Sequence, residues 1–213
     1  MLKFLWDLIG RVLYPETCCA CGSFGSYLCK KCRLHVDFLL TPIELPENSE
    51  LTSLSVAFRY KPPISSLIQV MKYRSVIGIA TILGELLYLH TKYPDAGAVT
   101  SVPLLHEKQN LRGFNQARIL ATTFAKRAKI PYLELIQKHT PHSKSQASTK
   151  GLHARLSNVD SHAFTMLPQA IAPNSVLIVD DVFTTGATLN ACARPLKAAG
   201  VREVHGLVVA HGR

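Results

Sequence analysis

Residues Val176 to Ala199 constrain this chain more than any other stretch. Val176-Leu177-Ile178-Val179 is an unbroken apolar run, the mark of a strand buried on both faces. Asp180 and Asp181 follow, then Val182-Phe183, then the small polar turn Thr184-Thr185-Gly186-Ala187-Thr188. A helical segment, Thr188–Ala199, closes the unit, with Pro195 placed to kink it. Strand, acids, turn and helix in that order predict one unit of a mainly parallel α/β sheet.

The chemistry of the unit follows from its parts. Acids at a strand's C-terminal end accept hydrogen bonds from vicinal sugar hydroxyls. The Thr184–Thr188 turn offers backbone N–H groups and hydroxyls to a phosphate, and the helix adds its positive dipole end. Gly186 lets that backbone approach closely. The segment therefore suits a ribose 5-phosphate. Strand–turn–helix units with polar turns are ordinary in parallel sheets, so the specificity lies in the whole pattern. No G-x-x-x-x-G-K-[ST] or G-x-G-x-x-G stretch competes with it.

Alternation elsewhere completes the sheet. Leu54–Tyr60, Ala98–Val102, Tyr132–Ile136 and Glu203–Val209 read as strands, with a further short strand at Phe164. Ile64–Tyr73 and Ile77–His90 read as helices, as does the stretch from Gln116 to about Lys129. Leu104–Leu111 reads as a polar loop, His139–Thr149 as a basic flap without periodicity, and Gly151–Leu156 as a helical turn. The organisation expected is an N-terminal helix and cysteine module over 1–40, a Pro- and Asn-punctuated linker over 41–53, and an α/β domain over 54–213. Ligands of such sheets bind beyond the C-terminal strand ends, where Asp180-Asp181, Ser101–Leu104 and the segment after Ile136 converge.

The cysteines form two pairs, Cys18-x2-Cys21 and Cys29-x2-Cys32. Each pair can wrap one corner of a tetrahedral ion, and Gly22 allows the tight turn; four thiolates suit a structural zinc. Disulfides are the alternative, which a cytoplasmic chain rarely keeps. Cys19 leaves a second register open, Cys19-x-Cys21. Cys192 reads as a core residue.

Charge bears on partners. Lys and Arg total 24 against 14 acids, a formal charge of +10. Between Val102 and Arg155 the only acids are Glu107 and Glu134. This field favours polyanions, pyrophosphate or nucleic acid. Lys126, Arg127, Lys129, Lys138 and Lys144 are the candidate nucleic-acid contacts, and Phe24 or Tyr27 are candidates to stack a base. A solvated helix end is the plain alternative for the first three. Leu2, Leu5, Leu8, Ile9, Val12 and Leu13 share one helical face that Pro15 ends. No signal peptide or transmembrane segment is expected, and the protein reads as cytoplasmic.

Several stretches together resemble the competence protein F-like group, the ComF/GntX family of phosphoribosyltransferase-like proteins. They are the four-cysteine module after an N-terminal helix, Lys72-Tyr73, Val102-Pro103-Leu104, Arg112-Gly113-Phe114-Asn115-Gln116, Gln146, Arg155-x-x-Asn158 with Phe164, and Asp180–Thr188. Members usually carry several arginines before Arg-Gly-Phe-Asn-Gln; here Lys108 stands alone beside Glu107. The resemblance implies a type I phosphoribosyltransferase fold that binds phosphoribosyl pyrophosphate (PRPP) with Mg2+. Asp180 and Asp181 would then hold the ribose hydroxyls, and Thr184, Thr185, Gly186, Ala187 and Thr188 the 5-phosphate. Ser101 and Pro103 would face the pyrophosphate, with Lys72, Lys108 and Arg112 as charge partners. Asn115 and Gln116 read as structural, and no catalytic base is legible. The resemblance further implies a role in natural transformation, handling imported single-stranded DNA alongside a helicase and a DNA-processing protein. The alternative is a phosphoribosyltransferase acting on a small-molecule acceptor without a DNA role.

Overall fold

In the computed structural model, Val176–Val179 forms the centre of a nine-residue strand, and the rest of the architecture is arranged around it. The structure describes residues 16–39, 43–139 and 163–212. The N-terminal helix expected over Met1–Leu13, Lys144 and most of the expected flap, the turn at Gly151–Leu156, and Gln146, Arg155 and Asn158 lie outside the described residues.

In chain order the elements are α1 (Lys30–Arg33), β1 (Ser53–Arg59), α2 (Ile64–Tyr73), α3 (Ile77–His90), β2 (Ala98–Ser101), α4 (His106–Arg112), α5 (Gln116–Ala128), β3 (Ile136–Lys138), β4 (Phe164–Met166), β5 (Ser175–Phe183), α6 (Ala187–Ala198) and β6 (Glu203–His211). The main sheet has the order β1-β6-β5-β2 with every pair parallel. β3 and β4 form a separate antiparallel pair.

Helices cover both faces, which is why the central strands are continuously apolar. On one face α2, α3 and α5 bury Ile68, Leu83 and Phe124 against Leu177, Val179 and Leu207. On the other, α6 buries Leu189, Cys192 and Leu196 against Val176, Ile178 and Val208. Both sheet edges are covered, which removes open pairing surface. Asp37 and Leu39 exchange hydrogen bonds with Arg59 and Ala57 of β1, and residues 131–133 run beside β2 through Val99. The segment between module and sheet is held too: Glu50 N–H donates to Asn190 Oδ1 at 2.8 Å, and Thr52 N–H to the Val204 carbonyl at 2.7 Å.

Two expected elements differ. Leu104–Leu111, read as a loop, contains helix α4. Glu107 in its first turn and Arg112 in its last complement the helix dipole, yet it has no apolar face, and Leu111 is 85% exposed. Apolar periodicity therefore had nothing to report. Tyr132–Ile136, read as a strand, makes only an isolated bridge at Tyr132; pairing proper begins at Ile136. Among the described residues no helix is long and apolar enough to cross a membrane.

Candidate functional site

β5 runs through Asp180 and Asp181, so the two acids lie within the strand's last turn of pairing rather than beyond it. Successive strand residues face opposite sides. Asp181 falls on the side of Leu177 and Val179, under α2, and Asp180 on the side of Ile178, toward α6. The acids therefore act on two sides of one strand end.

Each has a distinct environment. Lys72, one residue from the end of α2, donates to Asp181 Oδ1 at 2.8 Å; the two side chains are 24% and 11% exposed. Asp180 Oδ1 accepts from the Asp181 N–H at 2.8 Å. Burial, reinforced by the Asp181 carboxylate, pushes the Asp180 carboxyl up to about 7, against the opposing pull of that N–H, Lys72 and Lys138.

Asp180 also lines a small hollow of about 30 Å3 formed by the turn Thr184–Thr188. Gly186 sits there with φ +79°, the cap residue of α6. A Cβ at Gly186 would meet Phe183 Cε2 at 2.8 Å, so only glycine closes this turn. Thr184, Thr185 and Ala187 are exposed, which leaves the turn open to solvent and to an anion at the helix start. The sequence-derived turn residues are thus together, with one of the two acids beside them.

A second cavity, about 480 Å3, opens where β2 ends. Ser101, Pro103, Leu104, Tyr132, Glu134 and Lys138 line it. Tyr132 was not singled out from the sequence: its hydroxyl lies 3.0 Å from Ser101 Oγ, and burial raises its pKa. No local signal marks that contact, since 31 residues separate the partners. Arg118 and Glu134 pair across the rim at 3.0 Å. His139 Nε2 lies 2.6 Å from Thr165 Oγ1.

The Arg112–Gln116 block serves as scaffold. Asn115 Oδ1 caps α5 by accepting from the Arg118 N–H, and its Nδ2 donates to the Val102 carbonyl at 3.1 Å, tying α5 to the end of β2. Arg112 Nη1 donates to Gln116 Oε1 at 3.2 Å, so its guanidinium points to that turn. Lys108 lies on α4, and its side chain is outside the described set.

The basic residues separate into two groups. Lys126 and Arg127 end α5 and Lys129 caps it, at the edge where the parallel strands begin. All three are exposed, but Arg127 Nε pairs with Glu85 at 2.8 Å and its guanidinium lies over the Tyr88 ring at 5.7 Å. Lys138 lies at the other end, 4.9 Å over the Phe164 ring, in the wall of the larger cavity.

The donor atoms of Cys18, Cys21, Cys29 and Cys32 all lie within 4.8 Å of one another. A tetrahedral ion with bonds of about 2.3 Å to sulfur needs edges of about 3.8 Å, and Cys21 Sγ and Cys29 Sγ are 3.7 Å apart. Gly22 takes φ +75°, and its N–H donates to the Cys18 carbonyl at 2.8 Å, closing the first knuckle. Burial opposes a charged Cys18, but the N–H groups of Cys29, Ala20 and Cys21 outweigh it and bring the thiol down to about 6. Cys19 is not in the quartet. It packs against the body of the protein, and burial pushes its thiol up. The clustered thiols are thus those of the Cys18-x2-Cys21 register. Tyr27, a candidate to stack a base, instead lies against the body, with Cε2 3.1 Å from where a Gly78 Cβ would be. Phe24 is 76% exposed.

Residues 112–213 match the phosphoribosyl transferase domain family. Over 196 residues the chain is 29% identical to "Competence protein F" of Haemophilus influenzae, covering 88% of this chain and 81% of that protein. It is 31% identical over 103 residues to "Competence protein ComFC" of Streptococcus pneumoniae, covering 48% of this chain and 43% of the relative. These matches support a ComF-like, phosphoribosyltransferase-like reading of the chain. A third relative of this ComF-like chain is "DNA utilization protein YhgH" of Escherichia coli, 29% identical over 154 residues, 68% of this chain and 66% of that one. The ComF-like chain thus spans most of the first relative but less than half of ComFC. Its fold is that of the type I phosphoribosyltransferases, a mainly parallel α/β sheet, with a four-cysteine group before it that can hold a metal.

Proposed function

We propose that the strand end at Asp180–Thr188 binds PRPP together with its Mg2+, and that the protein acts on imported single-stranded DNA during natural transformation, in the cytoplasm. The observation that carries the first half is the shared hollow of Asp180 and the Gly186 turn at the start of α6. A sugar 5-phosphate seated on the turn brings its hydroxyls to the carboxylates at the strand end. The larger cavity beside Ser101, Pro103 and Lys138 lies next along the same sheet edge and suits the pyrophosphate. Lys72, Lys108 and Arg112 are the other proposed charge partners. When bound with PRPP, magnesium would supply charge neutralisation to the pyrophosphate. The chain's own residues orient the ribose, and Lys138 adds positive charge beside it.

Zinc is the proposed occupant of the four-cysteine group, with a structural role. The relatives named for competence and DNA utilization support the second half of the proposal, as do exposed Lys126 and Lys129. Arg127, Lys138 and Lys144 complete the proposed contacts, and a helicase and a DNA-processing protein are the proposed partners.

Calorimetry tests the site. Asp180→Ala with Asp181→Ala should abolish Mg2+-dependent PRPP binding and leave DNA binding intact; unchanged PRPP affinity would remove the reading. For DNA, affinity should fall with salt at a log–log slope of about 0.7 per phosphate contact. Replacing Lys126, Arg127 and Lys129 with Ala should lower that slope, with the melting temperature measured alongside. An unchanged slope in folded protein would make the patch a solvated helix end. PRPP consumption measured with and without single-stranded DNA separates this reading from a transferase that acts on a small-molecule acceptor without a DNA role.

A further inference from the structure

We infer that the valley between α3 and α5 seats the sugar-phosphate backbone of a single nucleic-acid strand, held by Thr81, Thr123, Lys126 and Arg127. The inference rests on the reading that the protein handles single-stranded DNA. It gives that reading a site of its own, separate from the end of β5.

The valley is made by two helices that cross closely. α3 and α5 lie on one face of the sheet, and a Cβ at Gly84 of α3 would stand 2.8 Å from Thr123 Cβ of α5. Beside that contact opens a cavity of about 390 Å3, lined by Thr81, Glu85, Thr122, Thr123, Lys126 and Arg127. Thr81 and Glu85, Thr122 and Lys126, and Thr123 and Arg127 are each four apart, the spacing that puts both members on one side of a helix. Each helix therefore turns a polar side to the valley.

Hydroxyls and cations suit a sugar-phosphate better than an apolar group. Thr81, Thr123 and Lys126 have no hydrogen-bond or ion-pair partner among the described residues. Thr122 Oγ1 donates back to the Ile119 carbonyl at 3.2 Å. Glu85, the one acid of the lining, is already paired: Arg127 Nε lies 2.8 Å from its Oε2, and the guanidinium rests over the Tyr88 ring at 5.7 Å. These two contacts fix the plane of the guanidinium. The pair is made through Nε, and the terminal amino groups are the fork that takes a phosphate in two-pronged fashion. A side chain fixed in advance loses less freedom when its ligand arrives.

Size and place narrow the ligand further. The cavity is within the range that holds one small ligand, about 300–1,000 Å3, so it admits a nucleotide of a single strand. A duplex, whose major groove alone is about 12 Å wide, is too broad to enter. The valley lies roughly two to three turns along α5 from Asn115, about 10–18 Å at about 1.5 Å per residue, and Asn115 is tied to the end of β2. A strand seated there leaves the sugar-phosphate site open, so both ligands bind at once.

The test is fluorescence anisotropy of a labelled oligothymidylate on the full chain, over a range of salt, with PRPP and Mg2+ absent or saturating. Thr81→Val with Thr123→Val keeps shape and charge. It should weaken the strand by about tenfold, the size of a hydrogen bond to a charged group. The salt slope should stay as in wild type, because it counts cations on phosphates and not hydroxyls. Saturating PRPP should leave the wild-type affinity unchanged, and a duplex of the same length should bind wild type and variant alike. If melting shows the double variant to be unfolded, Thr81→Val alone, at an exposed position, replaces it. A folded variant that binds the strand as tightly as wild type would overturn the valley as the seat while sparing the DNA reading, as would displacement of the strand by PRPP. An equal loss for the duplex would overturn the single-strand assignment. No binding of the oligonucleotide by wild type would overturn both the inference and the DNA reading.

Discussion

Around the sheet, Ile68, Leu83 and Leu177 are sealed from solvent completely, whereas over residues 16–34 Cys18 is the one buried side chain, and Phe24 and Leu34 stand 76% and 86% exposed. The sheet is held by apolar area removed from water, at about 25 cal/mol per Å2. The module buries far less, with Cys19, Tyr27 and Leu28 only partly covered where they meet the body. Its short segments are fixed by two knuckles and by α1, and the four thiols stand close enough to hold an ion. Stability in one region is spread over many side chains, and in the other it is concentrated at one point.

The sharpest way to break this contrast is to remove the metal. Chelation, or Cys18→Ser, should remove a contribution on the order of 10 kcal/mol to the folding of the module. Residues 16–34 should then exchange their amide hydrogens quickly, while β5 stays protected. Elemental analysis should give one zinc per chain before treatment. Equal deprotection of β5 would mean that the module is part of the sheet's own folding unit. The reciprocal change is Leu177→Ala, which should cost about 2–5 kcal/mol by denaturant unfolding and leave the zinc content unchanged.

A smaller effect concerns the acid at the end of the sheet. Asp180 titrates near 7 in the folded protein, against an ordinary value of 3.8. Between those values the folded state holds a proton that the unfolded state lacks. Stability from this group is therefore present below about pH 4 and declines as pH rises to 7, by at most about 1.4 kcal/mol per pH unit. Asp180→Asn should flatten that decline in a series of melts from pH 4 to 8; an identical slope would place the titration elsewhere. The smallest effect is at Cys19. Cys19→Ser should leave the zinc in place, and loss of zinc would reverse the register assigned here.

Most of the site's chemistry was legible because it is local. Cys18, Cys21, Cys29 and Cys32 announce a thiol cluster by spacing alone, and Asp180 to Thr188 announces a strand end, an acid pair and a glycine turn in nine consecutive residues. The parallel sheet was legible for the same reason, since Val176–Val179 is apolar on both faces. α4 was not, because a helix without a buried face carries no periodic signal. The division of the basic residues between opposite ends of the sheet was invisible too, since a charge tally has no direction.

What the sequence determined by itself, then, is the kind of group at each point: thiols at knuckle spacing, carboxylates at a strand end, a glycine where the chain must turn. Which groups meet was decided by tertiary structure. Lys72 finds Asp181 because α2 packs on the face to which Asp181 points, and Tyr132 finds Ser101 because residues 131–133 cover the edge of β2. Alternation along β5 sends Asp180 and Asp181 to opposite faces, so two neighbours in sequence have different partners. Side-chain identity is a property of the chain, but pairing and burial exist only once distant segments are packed together.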